Sequence, residues 1–464
     1  MDAGRAVTAE DFAARMAALG PFEPRPHVAA AVSGGPDSLS LAVLLQDWLA
    51  PRGGRLTALT VDHGLRPGSA AEAAGVGREM KRLGIPHKVL RWERQEPLKN
   101  PGASCQAAAR AARYRLLLQA CEAEGIFHLA LGHHLEDQAE TFLLRLGRGS
   151  GLDGLAAMAS VSETSGLRLL RPLLELSKAR LQATLEARRL AWVEDPSNDD
   201  RAFARVRLRR LLPELAGEGM TPARLGSASQ NLGRARAALE SDVAAVLARA
   251  VRPDPAGFLD LDPSVLAAAS EEVSRRALAR CLMAVGGRDY TPRLERLERL
   301  HASLSGGLTR PVTLGGCRVV PRETGRRETR RGESDRGGLR WLIVREPGRT
   351  QPAELVPGGR LLWDGRFEVV LARGTREGSG LTVGPLGAAG WRALAAALES
   401  AGTGERAARI PVAARGALPA LRDAEGLAAV PPVGYFRDRW AAKRLKECRF
   451  APTNGLTSPA FTVV

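Results

Sequence analysis

The sequence predicts an α/β protein: a doubly wound parallel sheet in the first half, then a helical domain and a small mixed α/β C-terminal domain. Three observations carry this reading. Short strand-like runs alternate with helical stretches as far as about Leu190. Those runs are apolar throughout instead of at every second position, the pattern of strands covered on both faces. The polar, Gly-containing segments fall where a strand ends and a helix begins, as in repeated βα units.

The elements follow in order. HVAAAV, from His27, reads as a buried strand, and Leu39, Leu41, Val43, Leu44 and Leu45 as the buried part of a helix beginning near Asp37. RLTALTVDHG precedes a helix over Ala70–Leu83, HKVLRWE one over Ser104–Ala123, and IFHLALGHH one over Glu136–Leu146. LRLLRPLLEL then leads into the helical SKARLQATLEARRL. In such a sheet ligands bind beyond the carboxyl ends of the strands. The loops predicted there are SGGPDS, VDHGLRP and GHHLEDQAET. From about Met220 the pattern turns to Ala/Leu/Arg helices, and PRETGRRETRRGESDRGG reads as an exposed charged loop. Short β-type runs follow, WLIVRE and RFEVVLAR. The domains expected are residues 1–217, 218–330 and 331–464.

Composition limits the function. With 464 residues and 44% hydrophobic content the chain supports two or three cores. No apolar run reaches the length of a membrane span and the N-terminus resembles no signal peptide, so a cytoplasmic protein is expected. Cys105, Cys121, Cys281, Cys317 and Cys448 form no CxxC pair, so neither a disulfide framework nor a zinc site is expected. The net charge is +16, with 29 basic and 25 acidic residues up to Gly217 and 38 against 26 beyond it. Six of the 67 basic residues are Lys, a bias that GC-rich codons produce, but codon bias does not explain an excess of bases over acids. A polyanion, nucleic acid first, is the expected partner of the rear half.

Taken alone, Ser33-Gly34-Gly35-Pro36-Asp37-Ser38 is either a well-capped turn or an anion site, where free backbone N–H groups and a helix dipole converge. It is neither a Walker loop nor a GxGxxG fingerprint. Asp137 and Glu140 share a helix face, which suits either a solvated surface or a cation site. His133 and His134 lack metal-motif spacing and read as capping, packing or catalytic groups.

SGGPDS resembles the pyrophosphate loop of the N-type ATP pyrophosphatases, whose fold is the adenine nucleotide alpha hydrolase type. Together with VDHGLRP, ARAARYRLL, GHHLEDQAETFLLRLGRGSGLDGL, RPLL and WVEDPSNDDRAFARVRLRRLLPEL, it is similar to the tRNA(Ile)-lysidine synthetases. The likeness is dense over about residues 27–215 and thin through TLGGC and RIPVAARGALPALRD. It implies ATP and Mg²⁺ as cofactors, free L-lysine and a tRNA(Ile) with a CAU anticodon as partners, and a tRNA-binding C-terminal domain. The reaction implied begins with attack of the wobble cytidine C2 oxygen on the ATP α-phosphate. Displacement of AMP by the lysine ε-amine then changes codon reading from AUG to AUA.

On that resemblance Ser33, Gly34, Gly35, Pro36, Asp37 and Ser38 bind ATP with His63 and Arg66, and Asp37 holds Mg²⁺. Arg113 clamps a phosphate or base, or is a surface arginine; Asp137 and Glu140 take the lysine; His133 is the base. Two positions depart from the family pattern: Glu136 replaces the first of two aspartates, and Val206 replaces an asparagine. EDPSN, Glu194 to Asn198, is equally a turn before a helix. The alternatives are another enzyme of the same loop that modifies tRNA, and an RNA-binding protein with a relict nucleotide loop.

Overall fold

The computed structural model describes residues 4–64, 68–93, 103–164, 166–193, 204–288, 290–307, 309–323, 327–328, 334–335, 339–348, 350–373, 380–401 and 404–457. The chain divides into two compact units, one running to Ala238 and the other from Leu239 to Ser458. Among the described residues no helix is long and apolar enough to cross a membrane.

The first unit opens with helix α1 (Ala9–Ala18), whose N-cap Thr8 accepts a hydrogen bond from the Asp11 amide. The βα units expected from the sequence follow. They are β1 (His27–Ala31), α2 (Pro36–Leu49), β2 (Arg55–Asp62), α3 (Ser69–Arg82), β3 (His87–Arg91), α4 (Ala103–Glu124), β4 (His128–Ala130) and α5 (Leu135–Leu146). Then come the single turn α6 (Leu152–Leu155), β5 (Val161–Thr164), β6 (Leu167–Leu170) and α7 (Lys178–Ala187). Strand order is β3-β2-β1-β4-β6-β5, parallel except for β5, an antiparallel edge strand that the sequence reading does not contain.

Both faces of this sheet are covered, and the side chains show why. Helix α2 is buried nearly all round: Leu39, Leu41, Leu44 and Leu45 pack with Phe12 and Met16 of α1 and Leu181 and Leu185 of α7. On the opposite face Leu117 and Cys121 of α4 pack with Leu59 and Leu129. Each such aliphatic side chain contributes about 1.5–3 kcal/mol on burial. Two further helices, α8 (Ala204–Gly217) and α9 (Pro222–Ala250), follow.

In the second unit β7 (Val251–Asp254), β8 (Phe258–Leu261), α10 (Pro263–Ala267), α11 (Glu271–Gly286), α12 (Leu294–Ser305), β9 (Val312–Leu314) and β10 (Cys317–Glu323) come first. The two-residue strands β11 (Arg327–Glu328) and β12 (Ser334–Asp335) pair with each other, and β13 (Leu339–Arg345) completes an antiparallel sheet ordered β7-β8-β13-β10-β9. Val246, Leu278, Leu282 and Leu300 bury this sheet's inner face with Leu259, Val319 and Ile343. The rear segment adds a five-stranded and a three-stranded sheet with the helix Gly387–Ala401. Leu394 and Leu418 of this segment share a core with Phe258 and Val344.

Candidate active site

The order of the first sheet decides where chemistry is possible. Strands β2 and β4 flank β1, so the connections leave β1 and β4 in opposite directions and the crevice opens between their carboxyl ends. The β1 loop carries Ser33 to Ser38 and the β4 loop carries Gly132 to His134. Gly34 has φ +90°, and a Cβ there would lie 2.9 Å from Val76 Cγ2, so only glycine fits both backbone and space. Pro36 begins α2 with its fixed φ, and no side chain caps that N-terminus. The positive end of the helix is therefore open to an anion.

Ser38 is placed differently from the phosphate ligand that the family likeness implies. Its hydroxyl accepts from the Ser33 amide at 3.1 Å, donates to the Gly35 carbonyl at 3.1 Å, and lies 3.2 Å from Ser33 Oγ. Those contacts use its hydrogen-bonding capacity inside the turn. Ser33 is exposed, and its hydroxyl hydrogen-bonds only with Ser38 Oγ among the described residues. The Val193 amide donates to the Gly34 carbonyl at 3.0 Å, which ties the chain just before EDPSN to this loop; Glu194 to Asn198 lie outside the described residues.

Gly132 is a functional position that sequence reasoning missed. A Cβ there would lie 3.2 Å from the Asp37 carbonyl carbon and oxygen and from Ser38 Cα. Its absence lets the first turn of α2 sit against the end of β4. The only signal was a glycine immediately after a strand, which is common in turns.

The two adjacent histidines have opposite environments. His134 is the N-cap of α5; its amide donates to Asp137 Oδ2 at 3.1 Å, forming a capping box with the N3 aspartate. Its Nδ1 is 2.8 Å from Glu136 Oε2 and its Nε2 3.5 Å from Asp37 Oδ2 and 3.6 Å from Asp137 Oδ2. Burial opposes the charge, but hydrogen bonds to Asp37 and Glu136 and the nearby carboxylates overcome it and hold the imidazole up at about 10. Glu136 Oε2 also accepts from the Lys178 amide at 3.0 Å, so the glutamate that departs from the family pattern links α5 to α7. For His133 burial acts first and Arg171, Arg113 and Arg110 act with it, against Asp137, to bring the pKa down to about 3. It is a neutral ring at pH 7.

Asp137 therefore caps α5, and Glu140 braces α8. Glu140 is fully buried; its Oε1 accepts from Arg209 Nε at 2.9 Å, while Oε2 is buried with no hydrogen-bond partner. Burial pushes this carboxyl up in spite of Arg209. Arg209 belongs to the cationic environment of the site, since Asp137 and Asp37 both act on it. Val206, where the family has asparagine, is buried on the same helix.

Arg113 of α4 is desolvated, which lowers its pKa, and its guanidinium lies 5.6 Å from the centre of the Tyr114 ring. His63, at the end of β2, is held down by burial and by the Arg113 charge, and stands edge-on to Trp92 at 6.4 Å. The Arg113 charge acts on both His63 and His133, each of which is desolvated by burial. Arg66 lies outside the described residues. Arg171, in RPLL, donates to the Ala159 carbonyl at 2.7 Å and to Ser162 Oγ at 2.9 Å.

Among the described residues no group of three His, Cys, Asp or Glu side chains is arranged to hold a metal by itself. Mg²⁺ commonly takes one or two carboxylates and completes its shell with substrate phosphates and water. Asp37 fits that use: its Oδ1 is buried without a hydrogen-bond partner in the first turn of α2, beside the open helix end.

Residues 8–215 match the family model described as the PP-loop domain. A tRNA(Ile)-lysidine synthase from Bradyrhizobium sp. is 45% identical over 306 residues, covering 62% of this chain and 84% of the relative. The chain belongs to the tRNA(Ile)-lysidine synthase family. Within this family, the synthase from Methylobacterium nodulans is 45% identical over 328 residues, 68% of this chain and 94% of the relative. That from Orientia tsutsugamushi is 30% identical over 439 residues, 92% and 94% respectively, so the family likeness extends through both units. Among solved structures, a U34-tRNA thiolase from Methanococcus maripaludis aligns with TM-score 0.41 at 20% identity, over 48% of this chain and 77% of that one. A tRNA(Ile)-lysidine synthase is an enzyme of tRNA modification, and the PP-loop domain brings ATP use with it.

Proposed function

We propose that this protein ligates free lysine to C2 of the wobble cytidine in the CAU anticodon of a tRNA(Ile). The observation that supports this best is the meeting of Asp37, whose Oδ1 is buried and unpartnered, with His134 and Asp137 of the next strand's helix at the open end of α2. An anion-binding turn and a group of acids at one point suit a reaction that takes both a triphosphate and an amine.

In the first half-reaction the cytidine C2 oxygen bonds to the α-phosphorus of ATP and pyrophosphate leaves. Ser33 and the Gly34 and Gly35 amides hold the β and γ phosphates; Pro36 preorganises the turn and Ser38 braces it. Asp37 would hold Mg²⁺, which when bound supplies charge neutralisation at the departing pyrophosphate. His134, charged between Asp37 and Glu136, fixes the Asp37 carboxylate in orientation. Arg113 and His63 face the nucleoside and α-phosphate, and the family likeness assigns Arg66 to the same role.

In the second half-reaction the ε-amine of lysine attacks C2 and AMP departs with the former carbonyl oxygen. Asp137 and the buried, unpartnered Oε2 of Glu140 would receive the ammonium. The amine must lose a proton from a group of ordinary pKa about 10.4, and His133 at about 3 is too weak a base in the free protein. Bound phosphates offset Arg113 and Arg171, the charges that help depress it, so substrate moves His133 in the direction a base needs. The product reads AUA in place of AUG, and the basic region after residue 217 holds the tRNA body in a cytoplasmic enzyme.

The test is mass spectrometry of nucleosides after incubation with ATP, lysine and a CAU-anticodon tRNA(Ile). Lysidine, AMP and pyrophosphate are expected in equal amounts. A folded protein that releases no pyrophosphate, or yields ADP, overturns the reading.

A further inference from the structure

A cavity of about 550 Å³ lies within the second unit, in the size range of small-molecule sites. Its base is apolar, from Leu282 and Met283 of α11, and its back is the Gly315-Gly316 turn joining β9 to β10. This is the TLGGC motif, for which the reaction has no use. Both glycines have positive φ, 64° and 81°, as a two-residue hairpin turn requires. A Cβ on Gly286 would lie 2.3 Å from the Gly315 carbonyl oxygen, so the turn is seated directly on α11.

The rim is cationic. Arg293 precedes α12, Arg296 and Arg299 follow three and six residues on, and this spacing puts all three along one side of the helix. Arg293 and Arg296 line the cavity with Arg288, and Arg296 and Arg299 line the groove that continues from it. Several arginines elsewhere in this unit are neutralised by acids. Arg275 pairs with Glu272 and Glu298, Arg280 with Glu240, Arg340 with Asp260 and Asp262, and Arg345 and Arg366 with Asp364. Arg288, Arg293 and Arg296 make no ion pair or hydrogen bond through their guanidiniums among the described residues. Glu346 is the one acid among the described lining residues. Tyr290 stands at the mouth, 69% exposed.

Three unpaired guanidiniums around a recess, with an exposed aromatic ring at its edge, suit a phosphate ester that carries a planar base. We propose that this cavity binds one nucleotide of the RNA substrate, its phosphate held by Arg288, Arg293 and Arg296 and its base stacked on Tyr290. The proposal rests on the functional reading above in taking RNA as the source of that nucleotide. Arg299 then continues the contact to the next phosphate along α12.

The experiment uses the full chain and a CAU-anticodon tRNA(Ile), measuring binding by fluorescence anisotropy across a KCl series, with lysidine formation followed in parallel. Each phosphate contact contributes about 0.7–0.9 to the slope of log affinity against log salt. R293Q/R296Q is therefore expected to flatten the slope by about 1.4–1.8 and raise KM for tRNA, with KM for ATP and lysine unchanged. Y290A is expected to weaken tRNA binding about five- to hundredfold without altering the slope. R293K/R296K, which keeps the charge, is expected to recover most of the slope and so separates lost contacts from misfolding. Wild-type slope and affinity in both R293Q/R296Q and Y290A overturn the proposal. So does tight binding of AMP alone that the same substitutions abolish while tRNA binding stays intact, because the source is then a free nucleotide. A wild-type protein that binds tRNA but forms no lysidine overturns the functional reading instead, and leaves the salt-slope comparison to decide this one.

Discussion

Arg209→Ala probes the ion pair that joins Glu140 of α5 to α8. Glu140 is fully buried, one of its oxygens accepts from Arg209 Nε at 2.9 Å, and the other has no partner. Deleting one member of a buried pair leaves an uncompensated charge and costs about 3–5 kcal/mol. The Arg209 side chain is 42% exposed, so water reaches the vacated space and the loss falls to about 2–3 kcal/mol. Glu140→Gln removes the charge itself and costs about 1 kcal/mol for the weakened hydrogen bond. The double variant should then lose about 1–2 kcal/mol less than the sum of the singles, since its buried group is neutral. Thermal unfolding of the first unit reads this as a fall of roughly 4–12 °C for Arg209→Ala, at 2–4 °C per kcal/mol for a unit of this size. The deficit should shrink on acidification: burial raises the Glu140 pKa, so the folded state takes up the proton first and the buried charge disappears as pH falls. Additive losses in the double variant, or a deficit that does not change with pH, would show that no uncompensated buried charge arises at Glu140.

Three further outcomes follow from the same geometry. His134 is raised from 6.5 to about 10, so its stabilising contribution is complete below pH 6.5 and is lost as pH rises to about 10; His134→Gln should remove most of that fall in melting temperature across the window, and an unchanged profile would count against a charged ring. Gly132→Ala forces a Cβ within 3.2 Å of the Asp37 backbone, which should cost about 1–3 kcal/mol and raise KM for ATP while KM for lysine holds, as ATP titrations and melting curves would report. Asp37→Asn should leave the fold intact and lower pyrophosphate release about a hundredfold or more; near-normal release in a folded variant would remove Asp37 from the site.

Much of the first unit was legible in the sequence because its signals are local. Continuous apolar runs mark strands buried on both faces, and glycine with proline marks the turn between β1 and α2, so the element order and the loops at strand ends could be read residue by residue. The edge strand β5 was not legible: Val161–Thr164 is four residues long, has no run of apolar side chains, and is defined by pairing with β6. In the second unit Leu339–Arg345 pairs with β8, 80 residues earlier at Trp341 and Leu261, as well as with β10, a register that no local pattern records.

The residue types available for the chemistry are written in the chain: a glycine turn at a helix start, Asp37 within it, and histidines and acids after the fourth strand. What each one contacts depends on how distant segments come together in the fold. Ser38 and Ser33 look alike in SGGPDS, yet the packing buries the first and leaves the second exposed. Asp137 and Glu140 share a helix face, but Arg209, 69 residues further along the chain, claims only the second. His133 and His134 are neighbours with one ordinary pKa, and the fold separates them to about 3 and about 10. A proton's free energy depends on burial and on nearby charges, and those charges come from Asp37 of α2, Arg110 and Arg113 of α4 and Arg171 just after β6, which meet β4 and α5 only when the sheet assembles.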